Sequence, residues 1–341
     1  MTPFADLVDR ALELMVVPSF TRIGYEVRSR LNHWTPLGGY EAGGRVVVIT
    51  GATSGLGLAT ARELVADDAT VEIVARDPAK AASVCDELRD EGPGDVGFVV
   101  ADTSDLDAVR HVADELGRRH GKIDVLIHNA GALDKEYAAS AQGIERTVAS
   151  QVVGPFLLTG LLLPLLRATP RSRVLWVSSG GMYSQPLSVA ALEMGSEGYD
   201  GTVAYARAKR AQVTLAEMWA EYLAPDQIAV HAMHPGWADT PGVRRSLPTF
   251  RRVTGPLLRS PAQGADTLVW LAADDGEPLD TTGKFWLDRR ARTIHRTSAT
   301  RRSDAADERR RLWNWCLERS GFTDGARDCH LTDPPLGTHG A

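Results

Sequence analysis

The chain has 341 residues, with 38 basic and 44 acidic side chains and a formal net charge of −6. That balance offers no global electrostatic footprint for nucleic acid or an anionic membrane. At 43% hydrophobic and 24% charged residues the composition is globular, not disordered, and the length suggests about two domains or one long α/β domain.

Residues 1–44 read as a helical N-terminal extension ending in a glycine-rich approach, Gly38-Gly39-Tyr40-Glu41-Ala42-Gly43-Gly44. Asp6, Asp9 and Glu13 interrupt its apolar residues, which argues against a signal peptide, and the segment is not basic enough to read as a membrane-binding one. From residue 45 to about 290, strand-like runs alternate with helical spacing. The runs are Arg45–Thr50, Thr70–Ala75, Val96–Ala101, Ile123–His128, Arg173–Ser178, Ala229–His234 and Lys284–Leu287. Several are almost continuously apolar, as parallel strands covered on both faces are. Between them Leu56–Ala66, Pro78–Arg89 and Asp105–Arg119 have helical spacing, and Asp77-Pro78 reads as an N-cap and first helical position. The alternation predicts a single doubly wound α/β domain over 45–290 with a mainly parallel seven-stranded sheet.

The longest apolar run, Phe156–Leu166, contains Pro164 and is too short to span a bilayer. Residues 291–341 open Arg- and Ser-rich, continue into an amphipathic helix near Ala306–Arg319, and end in a Gly/Pro/Asp tail expected to be mobile. Cys85, Cys316 and Cys329 are odd in number and scattered. They form neither a disulfide framework nor a metal site, and fit a reducing, cytoplasmic setting. His231 and His234, in a strand, read as packed side chains rather than metal ligands.

Chemistry first shows in Thr50-Gly51-Ala52-Thr53-Ser54-Gly55-Leu56-Gly57, which joins the first strand to a helix. Glycines there let a pyrophosphate approach the backbone, and the helix N-terminus supplies amides and partial positive charge, the Rossmann arrangement. After the second strand comes Arg76 where an acidic residue would select NAD; an arginine can pair with a 2′-phosphate, so NADP(H) is favoured over NAD(H). Asp102 and Thr103, ending the third strand, are placed for the adenine end, and Asn129-Ala130-Gly131 ends the fourth.

Taken with Ser178-Ser179, Tyr205-Ala-Arg-Ala-Lys209 and Pro235-Gly236-x-x-x-Thr240, these stretches resemble the short-chain dehydrogenase/reductase pattern in the right order. The resemblance implies hydride transfer between a nicotinamide and a small carbonyl or alcohol substrate, with Tyr205 exchanging the proton. It also gives Lys209 the nicotinamide ribose hydroxyls and Thr240 the carboxamide, and Tyr205 and Lys209 count among the cofactor-binding residues. A free phenol titrates near 10, and a lysine one helical turn away lowers that value. Lys209 is one of only five lysines in the chain. Ser179 is expected to donate to the substrate oxygen, while Pro235 and Gly236 permit close cofactor approach. Trp237 walls the substrate site or packs in the core.

One position departs from the family pattern. Gln151 stands where the family has a catalytic asparagine, so proton transfer through Lys209 is expected to be altered. On that ground a second reading is a catalytically weakened NADP(H)-binding sensor or interaction protein. The resemblance also suggests a homodimer through the helices around Gln151 and Tyr205.

Overall fold

The computed structural model describes residues 2–325; Cys329 and most of the Gly/Pro/Asp tail lie outside the described residues. Three helices, α1 (Pro3–Leu14), α2 (Val16–Phe20) and α3 (Arg22–Leu31), precede the sheet. The first half of the α/β body runs β1 (Val46–Thr50), α4 (Gly55–Ala66), β2 (Thr70–Ala75), α5 (Pro78–Glu91), β3 (Val96–Val100), α6 (Leu106–Arg119) and β4 (Val125–His128). A short α7 (Arg146–Val148) and a π-helical turn, Ala149–Val153, then lead into α8 (Gly154–Leu161) and α9 (Leu163–Arg167). There follow β5 (Arg173–Val177), α10 (Gly201–Leu223) and β6 (Ala229–Met233). The loop after β6 folds into α11 (Pro241–Ser246) and α12 (Pro248–Thr254), before α13 (Pro261–Ala273), α14 (Glu277–Asp280) and β7 (Lys284–Leu287). The described chain closes with β8 (Arg290–Arg292), α15 (Ser298–Ser303) and α16 (Ala306–Ser320).

The strands form one sheet in the order β3-β2-β1-β4-β5-β6-β7-β8. Strands β1 to β7 are parallel, and every residue of β4, β5 and β6 is buried, which is why these runs are apolar without alternation. Chain direction along the sheet reverses between β1 and β4, and that switch point opens the crevice where doubly wound folds take their ligands.

Among the described residues the sheet has eight strands, not the seven expected. β8 pairs antiparallel with β7 across Asp288 and Arg289, both at positive φ (55° and 51°), the geometry of a two-residue hairpin turn. Arg-Ala-Arg is too short and polar to read as a strand. It holds its place because Arg292 donates to both carboxylate oxygens of Asp9 at 2.7 Å.

The helical boundaries follow their caps. Asp77 accepts from Lys80 N at 3.1 Å ahead of Pro78, Asp105 from Asp107 N at 3.0 Å, and Asp200 from the Thr202 and Val203 amides ahead of α10. The apolar run Phe156–Leu166 breaks between α8 and α9, and no helix among the described residues is long and apolar enough to cross a membrane. Cys85 and Cys316 are buried, and burial pushes both thiols up.

Both extensions pack against the α/β body. On α16, Leu312, Trp313, Cys316 and Leu317 are buried, with the Trp313 ring 5.0 Å from Phe156 on α8 and 4.8 Å from Trp219 on α10. The N-terminal helices are joined to the body by buried ion pairs. Arg28 Nε donates to Asp9 Oδ1 at 2.6 Å, and its Nη1 to Asp288 Oδ2 at 2.7 Å. Arg259, next after the α11–α12 loop, donates to both oxygens of the same Asp288 and to the Thr21 and Ser19 carbonyls. Burial works against the charge on Asp9, but Arg292 and Arg28 outweigh it and hold its pKa down to about 2.

Candidate active site

At the end of β1 the chain turns through Gly51 (φ 72°) and Gly55 (φ 61°), backbone conformations that L side chains resist. Gly57 is required for a different reason: a Cβ there would lie 2.4 Å from Asn129 Nδ2 and 2.8 Å from Gly51 O. Asn129 clamps this turn to β4. Its Nδ2 donates to the Thr50 and Gly51 carbonyls at 3.0 and 3.1 Å, while the Asn129 and Ala130 amides donate to Thr50 Oγ1. Ser54, the N-cap of α4, makes no side-chain cap bond among the described residues, so its hydroxyl does not satisfy the first-turn amides of that helix. Thr53 and Leu56 are half-buried in the turn, Leu56 reaching toward Gly264 on α13. Across the crevice, Thr240 Cβ would lie 3.3 Å from a Cβ on Gly55, and Thr240 itself caps α11 by accepting from Val243 N. Amides not capped by Ser54, glycines with no room for Cβ and the facing Thr240 fit the pyrophosphate and nicotinamide ends of a dinucleotide.

At the far end, Arg76 is exposed and lies 3.6 Å from Asp102, whose other oxygen accepts from the Ser104 amide and hydroxyl. Thr103 turns its hydroxyl to Ser150 O at 3.3 Å, bracing the π-helical turn. Gly236 (φ 71°) serves packing: a Cβ would meet Arg259 Cζ at 2.5 Å and Phe20 O at 2.6 Å. Pro235 O accepts from Arg259, and Trp237 donates its amide to Phe20 O at 2.7 Å, with its ring edge-on to Phe20 and Phe250. The N-terminal extension therefore holds the Pro235–Thr240 segment from outside.

Ser179, Tyr205 and Lys209 converge above β5. Ser179 caps the short turn after the strand, accepting from Gly181 N at 3.2 Å, and its hydroxyl faces that of Tyr205. Ser178 is structural: it is buried and donates to Lys209 O at 3.0 Å. Lys209 is buried with its Nζ 5.3 Å from the Tyr205 ring centroid, donating to Val177 O at 2.9 Å and to Gln212 Oε1 at 3.0 Å. Burial lowers its pKa to about 7. Burial also pushes the Tyr205 phenol up to about 12, Ser179 pulling the other way. The lysine was expected to lower the phenol; here desolvation dominates, and the ammonium sits under the ring rather than at the hydroxyl.

Gln151 is fully buried in the π-helical turn, a backbone form that recurs at functional sites. Its Nε2 donates to Ala132 O at 2.7 Å, and its Oε1 is buried with no hydrogen-bond partner among the described residues. A Cβ on Gly131 would lie 3.1 Å from both that oxygen and Lys209 Nζ, so the two groups flank one small space. Gln212 was not anticipated. Its Oε1 accepts from Lys209 while its Nε2 donates to Gln151 O at 2.7 Å, tying α10 to the π-helical turn. The only available signal was its place one turn beyond Lys209.

His231 and His234 pack as expected. His231 Nε2 bonds Pro278 O at 2.9 Å, His234 Nδ1 accepts from Gly236 N at 3.1 Å, and burial lowers both pKa values.

A parallel sheet with a glycine-rich turn at its switch point, and Ser179, Tyr205 and Lys209 gathered beside β5, is the framework of a dinucleotide-dependent oxidoreductase. Residues 45–249 match the family model described as short chain dehydrogenase. The human protein "Dehydrogenase/reductase SDR family member 12" is 39% identical over 78% of this chain and 83% of its own length. A crystal structure of an uncharacterised protein from Mycobacterium paratuberculosis covers 84% of this chain and 96% of its own at 28% identity and a TM-score of 0.67. An NADP active-site complex of RhlG from Pseudomonas aeruginosa covers 74% and 96% at 26% identity and a TM-score of 0.59. The chain belongs to the short-chain dehydrogenase/reductase family. It is an oxidoreductase that interconverts CH–OH and C=O groups with NAD(P).

Proposed function

We propose that the chain is an NADP(H)-dependent oxidoreductase acting on a small carbonyl or alcohol, with Tyr205 exchanging the proton. The observation that carries the acid/base assignment is the Ser179–Tyr205–Lys209 arrangement, with the two hydroxyls facing each other and the lysine buried beneath the ring. A bound nicotinamide supplies the hydride to the substrate carbon. Tyr205, whose phenol burial pushes up to about 12, keeps its proton at neutral pH and can hand it to the substrate oxygen when a carbonyl is reduced. Ser179 holds that oxygen while negative charge develops. Tyr205 is reprotonated from the side of Lys209, whose ammonium shares the space beside Gly131 with the unpaired Gln151 oxygen.

Preference for NADP(H) rests on the exposed Arg76, and the NADP held by RhlG is in keeping with it. Asp102 at 3.6 Å opposes an added phosphate, so Arg76→Glu is expected to reverse the preference. Fluorescence titration with NADPH and NADH measures that directly. The acid/base role is tested by following NADPH oxidation with a panel of aldehydes, ketones and quinones. Tyr205→Phe is expected to lower turnover by about 10²–10⁴-fold with nucleotide binding retained. Nucleotide binding with no turnover on any compound, and no effect of that substitution, would instead make the chain a sensor.

A further inference from the structure

Of the eleven large apolar side chains that stand exposed among the described residues, seven lie between residues 4 and 23. Phe4 is 65% exposed, Leu7 66% and Leu14 87%. Together with Ala11 they recur at helical spacing on one face of α1, and that face points away from the protein. The opposite face is charged. Asp9 is buried against Arg28 and Arg292, Asp6 pairs with Arg290 and Arg10, and Glu13 pairs with Arg296. α1 is thus an amphipathic helix turned inside out, its acids satisfied within and its hydrocarbon exposed, continued by Val17 and Ile23.

What borders this surface is rich in arginine. Arg22, at the start of α3, lines one groove with Arg244 of the α11–α12 loop, and the two acids of that groove, Glu26 and Asp239, are already paired with Arg30 and with Arg244 and Arg251. Arg22, Arg245 and Arg252 are exposed and have no acidic partner within salt-bridge distance among the described residues. Val253, 76% exposed, carries the apolar surface onto the same loop. Apolar helix faces edged by arginines suit the boundary of an anionic bilayer. A second copy suits it less, since a two-fold contact would set one arginine-rimmed face against another.

We propose that the outward face of α1–α2, with Arg22, Arg245 and Arg252, docks the protein on an anionic lipid surface. The contact is peripheral, with leucine and phenylalanine side chains entering the headgroup boundary and the arginines pairing with lipid phosphates. It sets the α11–α12 loop, which Trp237 and Phe250 join to the site, against the lipid.

The test is vesicle flotation of the full chain with phosphatidylcholine alone and with phosphatidylcholine mixed with phosphatidylglycerol. Binding is expected on the mixed vesicles and much less on the neutral ones. Leu7→Asp with Leu14→Asp should abolish it while leaving the melting temperature unchanged, since both side chains are exposed. Arg245→Gln and Arg252→Gln should each weaken binding roughly fivefold. Absence of binding to the mixed vesicles, or binding indifferent to the leucine substitutions, overturns the proposal. So does a dimer in light scattering that the same leucine substitutions dissolve, which assigns the face to a second copy.

Discussion

Lys209 depends on a residue outside the family pattern. Its ammonium has two protein acceptors, Val177 O and Gln212 Oε1, and the same Gln212 amide holds the carbonyl of Gln151. Gln212→Leu removes an acceptor from a buried cation, so the pKa of Lys209 should fall below its present value of about 7. Gln212→Glu places a carboxylate there and should raise it. Opposite displacements of the pH profile of reduction in the two variants would establish the link; a merely structural glutamine would lower activity without moving the profile. Lys209 also leaves a mark on stability. Its folded pKa lies near 7 and its unfolded value near 10.5, so between those limits the unfolded chain binds more protons. Stability therefore rises with pH across that window, and the cost of burying the charge is fully present below it. In nucleotide-free protein, Lys209→Met should lose this rise, which denaturant unfolding at a series of pH values would report.

At the scale of elements, the N-terminal helices act as part of the site's frame. Asp288 in the β7–β8 turn receives Arg28 from α3 and Arg259 from beside the α11–α12 loop, and all three side chains are buried. Asp288→Asn would leave two buried guanidiniums short of a counter-charge, at a cost of about 3–5 kcal/mol. The loss should appear as a lower melting temperature and as faster amide exchange in residues 236–240, whose Trp237 amide is held by Phe20 O. None of this was legible beforehand: Arg28 sits in an ordinary polar helix, and its partner is 260 residues away. The parallel strands were legible because burial on both faces leaves continuous apolar runs. Tyr205 and Lys209 were legible because i, i+4 spacing puts both on one helix face. Gln212 shares that face, but glutamine has no distinctive pattern, and its role exists only because the π-helical turn brings Gln151 O within 2.7 Å. β8 was missed because three residues carry no periodicity.

For the molecule as a whole, the C-terminal helix decides which faces remain free. Every residue of α8 except Leu161 is buried, and α10 is buried along most of its length. Part of that cover is α16, whose Trp313 contacts Phe156, Trp219 and Tyr222 at ring-centroid distances of 5.0, 4.8 and 5.5 Å. Phe322 adds to it, lying so close to Gly160 that a Cβ there would be 2.5 Å away. A homodimer through α8 and α10 would have to displace this aromatic cluster, so the full chain is expected to be monomeric in light scattering. Trp313→Ala empties the middle of the cluster and should cost about 3–5 kcal/mol without touching the crevice. Its nucleotide affinity should therefore match the wild type at temperatures where it stays folded. Ending the chain at Asp304 goes further, because it uncovers Phe156 and Trp219 together. An apolar surface of that kind is expected to drive association, so the shortened chain should run as dimers or larger species. A shortened chain that stays monomeric with an unchanged melting temperature would mean that α16 rests on the core without closing it.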